Sequence, residues 1–206
     1  MLTLARIAED PGTLTHRLES RDGARLVFRP LAPGDAQGLA DFLAGLSPES
    51  RRFSTFDGYD LAAAQELCAA IARYDKLRLV LEEGPSARIV GLLEFSLALP
   101  PGDVERYRRA GIRLDETTDC RFGPTLADDH QGKGLATRVF PLVREVARRL
   151  GKRRIILWGG VLTDNPRAIR YYEKNGFHRV GTFTGPDGQA SMDMILDLEP
   201  NPPEQA

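Results

Sequence analysis

The sequence predicts an α/β (α+β) fold built on a mixed sheet. After Asp119, strand-like segments alternate with two amphipathic helical segments, and two further strand-like segments follow. Before Asp119, two helical segments follow an isolated strand and precede a pair of strand-like segments. The chain has 206 residues, of which 42% are hydrophobic, so it is long enough to bury a sizeable core.

The first third of the chain contains one well-marked strand and two helices. Residues 1–23 have weak periodicity and are interpreted as an N-terminal extension with a short strand over Thr13–Leu18. Arg25–Pro30 is strand-like and is closed by its proline. A helix is expected over about Ala36–Leu46, and apolar residues at three- and four-residue steps predict another over about 61–74.

The middle of the chain predicts a hairpin and an insertion. Leu77–Leu81 and Arg88–Leu99 are strand-like and are separated by Glu-Gly-Pro-Ser, a composition typical of a turn. The charged stretch Asp103–Glu116 predicts a short surface helix, which we interpret as a solvated insertion.

The last third has the clearest succession of elements. The predicted order is a strand (Cys120–Leu126), a helix (about Gly132–Leu150), a strand (Arg154–Trp158), a helix (about Asn165–Asn175) and strands over Phe177–Phe183 and Ala190–Leu198. Pro141 lies inside the first of these helices and predicts a kink or a break, since an interior proline costs about 3 kcal/mol. Residues 199–206 are expected to be a disordered tail.

Composition excludes several classes of partner. The 28 basic and 29 acidic residues give a net charge of −1, so neither a nucleic acid nor an anionic membrane is an expected partner. The longest apolar stretch, Ile89–Leu99, is only about half as long as a membrane-spanning helix. Acidic residues near the start do not fit a signal peptide, and the expected location is therefore cytoplasmic.

The cysteines and histidines do not predict a metal site. Cys68 and Cys120 lie far apart in the sequence, so each is expected to fill a core position rather than to form a disulfide. His16, His130 and His178 share no ligand spacing with one another or with the cysteines. No metal is expected.

The segment Leu126–Thr137 carries the strongest functional signal. Gly132 and Gly134 lie between a strand and a helix, where unpaired backbone N–H groups and the helix dipole favour a phosphate or pyrophosphate. A nucleotide-triphosphate loop needs Ser or Thr after Gly-Lys, whereas Gly134 follows here. A dinucleotide-binding turn needs a third glycine where Thr137 stands, so that alternative is weak.

Two motifs resemble the GCN5-related N-acetyltransferase (GNAT) family. Gln131-Gly-Lys-Gly-Leu-Ala136 fits the family's Gln/Arg-x-x-Gly-x-Gly/Ala loop. One helix and one strand later, Asn165-Pro-Arg-Ala-Ile-Arg-Tyr-Tyr-Glu-Lys-Asn-Gly-Phe177 is similar to the family's Asn-x-x-Ala…Tyr-Glu-Lys-x-Gly-Phe segment. The resemblance covers about residues 24–198, and Leu46–Ser50 is a family-like loop.

The resemblance implies a cofactor site and a fold. The implied fold has a mostly antiparallel central sheet, helices on both faces and a splayed strand pair that binds acyl-CoA. The implied acyl donor is acetyl-CoA, with the N–H of Leu126 polarising the thioester carbonyl and the amides of Gln131–Ala136 holding the pyrophosphate. The cofactor-binding residues that it implies are Leu126, Gln131, Gly132, Lys133, Gly134, Leu135, Ala136, Thr137, Asn165 and Tyr172.

The resemblance also implies direct attack of an amine on the thioester. Tyr172 matches the tyrosine that protonates the departing thiolate, whereas Tyr171 is interpreted as a core residue. The position of the family's general base falls on Arg121, which cannot accept a proton. Glu94 and Asp119 are the substitutes, and Glu94 is either a base with a raised pKa or a solvent-facing strand residue.

The acceptor is open between a small-molecule amine and a protein amine. Residues that contact it are expected from Leu46–Tyr59 and from the insertion at 100–117. Arg51, Arg52 and Arg113 would favour an acceptor with an anionic group. Family members are often dimers, so a homodimer is an implied assembly.

Two alternatives remain at this stage. The first is a non-catalytic acyl-CoA-binding or regulatory domain, which Arg121 favours because it removes the expected base. The second is a nucleotide-dependent oxidoreductase, which would use the same glycine loop for a different cofactor.

Overall fold

The structure is a computed structural model that describes residues 1–54, 56–185 and 187–198. The predicted disordered tail, residues 199–206, lies outside the described residues. Residue contacts divide the chain into two units. Unit 1 contains Met1–Leu2, Ser96–Phe122 and Phe140–Ala206, and unit 2 contains Thr3–Phe95 and Gly123–Val139.

Helices and strands together confirm the predicted α/β fold. The α-helices are α1 (Leu4–Glu9), α2 (Ala36–Ala44), α3 (Pro48–Arg52), α4 (Leu61–Arg73), α5 (Pro101–Arg109), α6 (Leu135–Arg149) and α7 (Pro166–Lys174). The strands are β1 (His16–Glu19), β2 (Arg25–Pro30), β3 (Lys76–Glu83), β4 (Arg88–Ser96), β5 (Asp119–Leu126), β6 (Arg154–Leu157), β7 (Val161–Leu162), β8 (His178–Thr184) and β9 (Ala190–Asp197). Short 3-10 turns span Pro11–Leu14, Pro33–Asp35 and Asp128–His130.

Three short elements, α1, α3 and β7, have no counterpart among the predictions. Each is too short to repeat a hydrophobic pattern, although α1 and α3 carry N-caps. The Thr3 side chain accepts a hydrogen bond from the Arg6 amide, and the Ser47 side chain accepts one from the Ser50 amide. The predicted strand over Thr13–Leu18 begins later, at His16, because a 3-10 turn occupies the preceding residues.

In unit 2, the strands are ordered β1-β2-β3-β4, followed by the end of β5. β1 and β3 each pair antiparallel with β2. The amide of Ala127 donates to the carbonyl of Val90, which fixes the end of β5 beside β4. The buried side chains of Phe28 and Leu81, which are partners in the β2–β3 register, contribute to the core of this unit.

In unit 1, the start of β5 is followed by β6, β9 and β7, and β8 also pairs with β9. β5 and β6 are parallel, while the pairs that β9 forms with β6, β7 and β8 are antiparallel. The β5–β6 register runs from Asp119↔Arg154 to Phe122↔Leu157, and β5 continues to Leu126. Strand β5 therefore continues beyond the residues that pair with β6, and the glycine loop follows this continuation.

The interpretation of the charged stretch as a solvated insertion is wrong. Helix α5 buries the Tyr107 side chain completely, and the Tyr107 hydroxyl donates to the Met194 carbonyl at 2.8 Å. Asp103 is also buried and accepts from Arg106, which binds both carboxylate oxygens of Asp193 at 2.8 and 3.1 Å. One face of the helix therefore forms a largely buried ion network, while Glu105, Arg108 and Arg109 pair with one another on its exposed face.

Helix α6 continues through Pro141, so of the predicted kink or break, the break does not occur. Pro141 is exposed, while Val139, Val143 and Val146 form a buried apolar stripe on the helix. Cys68 and Cys120 are buried core residues, as predicted. Among the described residues, no helix is both long and apolar enough to cross a membrane.

Candidate functional site

The glycine loop presents a run of backbone donors at the start of α6. Gly132 and Gly134 have φ values of +74° and +78°, which glycine adopts without strain. The first amide to donate back into the helix is that of Arg138, to the Gly134 carbonyl. Within the described part of the chain, the amides of residues 132–137 have no hydrogen-bond acceptor. These six N–H groups can bind an anion.

The Gln131 side chain holds the loop in place. Its Nε2 donates to the Leu126 carbonyl and to Ser50 Oγ, each at 2.9 Å. Ser50 Oγ in turn donates to Asp128 Oδ1 at 2.8 Å. The side chain of Gln131 therefore positions the segment between β5 and α6. Its backbone amide, which was expected to bind the pyrophosphate, instead donates to the Asp128 carbonyl at 3.2 Å, so the row of amides without acceptors begins at Gly132.

Asp128 joins the glycine loop to the start of α3. Its carboxylate accepts from the Ser47 amide at 2.9 Å and from Ser47 Oγ at 2.6 Å. Partial burial opposes ionisation, but hydrogen bonds from Ser47 and Ser50 hold the pKa of the Asp128 carboxyl below its ordinary value. The sequence did not single out Asp128 or Ser47, because their separation of 81 residues leaves no local signal.

Leu126 packs against a glycine on the neighbouring strand. A Cβ atom at Gly91 would lie 2.8 Å from Leu126 Cδ2 and 3.1 Å from Leu81 Cδ1. A side chain at Gly91 would therefore displace the methyl group of Leu126, so the glycine leaves room for Leu126 to pack against β4.

His130, which precedes Gln131, bridges two carboxylates. Its Nε2 lies 2.9 Å from Glu83 Oε1, and its Nδ1 lies 2.8 Å from Asp129 Oδ1. Burial lowers the pKa of His130, but the hydrogen bonds and charges of Glu83 and Asp129 outweigh it, so the pKa is raised above 6.5. The folded protein therefore binds this proton more tightly than the unfolded chain does.

This pairing predicts a pH-dependent contribution to stability. Because the folded pKa is the higher one, the contribution is complete below about pH 6.5 and is lost as the pH rises through the folded pKa. We expect the free energy of unfolding of wild type minus that of His130→Gln to decrease from about pH 6 to about pH 9 in urea titrations. His178→Gln is the control, since His178 is exposed on β8 and has no carboxylate partner among the residues described. If the difference in the free energy of unfolding between wild type and His130→Gln does not change with pH, the raised pKa of His130 is contradicted.

The second motif places Asn165 and Tyr172 in unit 1. Asn165 Oδ1 accepts from the Ala168 amide at 3.0 Å and caps α7. Tyr172 is 8% exposed, and its ring centroid lies 5.1 Å from that of Tyr171 and 5.2 Å from that of Phe177. Burial alone raises the pKa of Tyr172, and its hydroxyl has no hydrogen-bond partner in the described chain. The phenol is protonated at neutral pH and can donate.

Glu94 is buried, so its interpretation as a solvent-facing strand residue is wrong. Its Oε1 accepts from Arg78 Nε at 2.7 Å, and both side chains are less than one-tenth exposed. Burial raises the pKa of Glu94, and the charge and hydrogen bond of Arg78 oppose that rise. The partner Arg78 was missed because it precedes Glu94 by 16 residues and no pattern links the two.

Asp119 and Arg121 are both engaged by neighbours in unit 1. Asp119 is fully buried and accepts from Arg154 Nε and Nη2 at 2.8 and 2.6 Å. Arg121 lies over the Trp158 ring at 4.5 Å and donates to Ser96 Oγ at 3.2 Å. Burial lowers the pKa of Arg121, yet Asp103 Oδ2 lies 3.6 Å from its Nη1. Asp119 thus forms a structural ion pair. Arg121, which stands at the position of the family's general base, contacts Trp158, Ser96 and Asp103.

Arg51, one of the arginines expected to face an anionic acceptor, is used within its own segment. It donates to the carbonyls of Leu46 and Ala44 at 2.9 and 2.8 Å, and its guanidinium lies 4.5 Å from the Tyr59 ring centroid. These contacts hold the loop after α2, so the position of the Arg51 side chain does not depend on a bound acceptor substrate.

The comparisons with known proteins agree with both motifs. The family model for the acetyltransferase (GNAT) domain matches residues 25–178. An acetyltransferase of Pseudomonas aeruginosa is 30% identical over 141 residues, which are 68% of this chain and 69% of that protein.

Solved structures share the fold. The GNAT domain of S. lividans PAT has a TM-score of 0.67 at 22% identity and covers 91% of this chain and 99% of its own. Spermidine N-acetyltransferase from Vibrio cholerae, in complex with CoA and spermine, has a TM-score of 0.60 at 20% identity and covers 84% and 95%. Because a family model spans most of the chain and includes both motifs, the chain belongs to the GNAT family of acetyltransferases.

Proposed function

We propose that the protein is an acetyl-CoA-dependent N-acetyltransferase in which an amine attacks the thioester directly within a ternary complex. The observation that carries the proposal is the glycine loop, where six successive amides lack acceptors among the described residues. Such a row of donors suits the pyrophosphate of coenzyme A. It accounts for the binding of a highly charged cofactor by a chain with a net charge of −1.

The proposed reaction has one bond-forming and one bond-breaking step. The amine nitrogen forms a bond to the acetyl carbonyl carbon, and the negative charge that develops on the carbonyl oxygen is met by the N–H of Leu126. The C–S bond then breaks, and the Tyr172 hydroxyl gives its proton to the CoA sulfur. Charge development is handled by backbone and phenol donors, so the proposal needs no metal.

The attacking nitrogen must also lose a proton. We assign this proton to Glu94, because burial raises the pKa of its carboxyl and a raised pKa makes a carboxylate a better base near neutral pH. Its ion pair with Arg78 works in the opposite direction. The two effects can be separated by substituting both residues.

The acceptor is proposed to be an amine, either of a small molecule or of a protein. The Vibrio cholerae neighbour, whose structure contains CoA and spermine, supports a small-molecule amine. A non-catalytic acyl-CoA-binding domain is the second candidate, because Arg121 stands where the family has a base.

A binding and turnover experiment tests the proposal. We expect acetyl-CoA at about 100 times its Kd to stabilise the protein by about 2.7 kcal/mol, whereas NAD at the same concentration has no effect. Thiol release is then followed over a panel of mono-, di- and polyamines and amino acids. Stabilisation with turnover supports the enzyme, and stabilisation without turnover on any amine favours the binding domain. A lack of stabilisation by acetyl-CoA would contradict both.

A further inference from the structure

The turn between β1 and β2 is held by several hydrogen bonds. The Ser20 amide donates to the Ala24 carbonyl at 2.9 Å, and the Ala24 amide donates back to Ser20 Oγ at 2.9 Å. The Gly23 amide donates to the Ser20 carbonyl at 3.2 Å. The turn thus has a defined conformation, and Arg21 lies in it directly after Ser20.

Arg21 lies against the glycine loop. A Cβ atom at Gly134 would be 3.1 Å from Arg21 Cζ and 3.3 Å from both Nε and Nη1. Gly134 therefore serves two purposes, since it adopts a positive φ and leaves room for a guanidinium beside the backbone. This proximity places a fork of N–H donors next to the unpartnered amides of residues 132–137.

The charge of Arg21 is not neutralised within the described residues. No carboxylate forms an ion pair with it there, and its side chain is exposed. Asp22, the neighbouring acid, is bound instead by Ser20 Oγ, and this hydrogen bond is the main reason that the pKa of Asp22 is lowered. Lys133 adds a second positive charge near the same turn. The surroundings favour an anion.

We propose that Arg21 is an additional anion-binding residue of the acyl-CoA site and contacts the pyrophosphate alongside the loop amides. The inference rests on the proposed function and adds a side chain to a site otherwise built from backbone. A planar guanidinium can bind two phosphate oxygens through a rigid fork of parallel N–H donors, a geometry that an ammonium lacks. Arg21 lies outside residues 25–178, so the family match does not include it.

The test measures binding of three acyl donors by wild type, Arg21→Ala, Arg21→Lys and Arg17→Ala. Arg17 is the matched control, an exposed arginine on the β1 strand of the same hairpin. Calorimetric Kd values are compared for three donors. Acetyl-CoA carries the pyrophosphate and the 3′-phosphate, acetyl-dephospho-CoA carries the pyrophosphate alone, and acetyl-pantetheine carries no phosphate. We expect Arg21→Ala to weaken the first two by about fivefold, the effect of losing an exposed ion pair. Acetyl-pantetheine binding should not change, and Arg21→Lys should recover part of the loss.

Other results would overturn the inference. They are an unchanged Kd for acetyl-CoA, a loss confined to acetyl-CoA that would indicate its 3′-phosphate, an equal loss with acetyl-pantetheine, or an equal loss in Arg17→Ala.

Failure of the proposed function would be distinguishable. If wild type does not bind acetyl-CoA, that function is wrong, and inorganic pyrophosphate becomes the probe for Arg21. Weaker pyrophosphate binding by Arg21→Ala than by Arg17→Ala would still support an anion site at this residue. Equal binding by the two variants, or none by wild type, would overturn it.

Discussion

Tyr172→Phe is expected to lower kcat by about 10²-fold, the usual loss when a general acid is removed. The substitution removes one hydroxyl that has no hydrogen-bond partner among the described residues, so it leaves no buried group unsatisfied. The ring contacts with Tyr171 and Phe177 stay in place. Stability and the Kd for acetyl-CoA should therefore change little while the chemical step slows.

Tyr171→Phe is the matched control for this prediction. Tyr171 lies next to Tyr172 in α7, and its ring packs edge-on against that of Phe140 with centroids 6.0 Å apart. Both phenols have a pKa raised mainly by burial, so the two substitutions remove the same atom from similar surroundings. We expect steady-state thiol release by Tyr171→Phe to stay within about twofold of wild type. Equal losses in both variants, or no loss in Tyr172→Phe, would remove the assigned role.

The loop before α6 could be predicted because its signals are local. Gly132 and Gly134 stand at positions that have positive φ, and α6 begins directly after them. An anion site of this kind needs only backbone donors and the start of a helix, both of which a short sequence segment specifies. The same is true of α7, where Asn165 caps the helix that carries Tyr172.

Contacts between distant segments could not be predicted. Tyr107 and Met194 are 87 residues apart, and their hydrogen bond, together with the burial of Tyr107, shows that one face of α5 is packed. Charge content alone cannot distinguish a buried ion network from a wetted surface, because the difference depends on which partners the fold brings together. Glu94 illustrates the same limit, since its neighbours in sequence do not include Arg78.

The proposed anion site is also compatible with the balanced composition. A protein that binds polyanions through side chains needs a basic excess, but backbone N–H groups carry partial charges that do not count toward net charge. Residues 132–137 supply such groups, and the proposed site adds only two nearby cations, Arg21 and Lys133. A net charge of −1 is therefore compatible with a cofactor that carries several negative charges.

Glu94→Ala is expected to lower the free energy of unfolding by about 3–5 kcal/mol, because it leaves the buried Arg78 guanidinium without its carboxylate partner. The matched control is Glu66→Ala, which breaks an exposed ion pair with Arg73 and should cost less than about 1 kcal/mol. Urea unfolding measures both. A similar cost for the two substitutions would contradict the burial of the Arg78–Glu94 pair.

The double variant Arg78→Met/Glu94→Leu separates the ion pair from the proposed base. Replacing both charges by apolar side chains of similar size is expected to recover most of the stability that Glu94→Ala loses, since no uncompensated charge remains. If Glu94 accepts the proton of the attacking amine, the double variant stays folded while its kcat is reduced by about 10²-fold. Recovery of activity together with stability would show that Glu94 supports the fold alone, because a carboxylate that serves only to neutralise Arg78 is dispensable once Arg78 is removed.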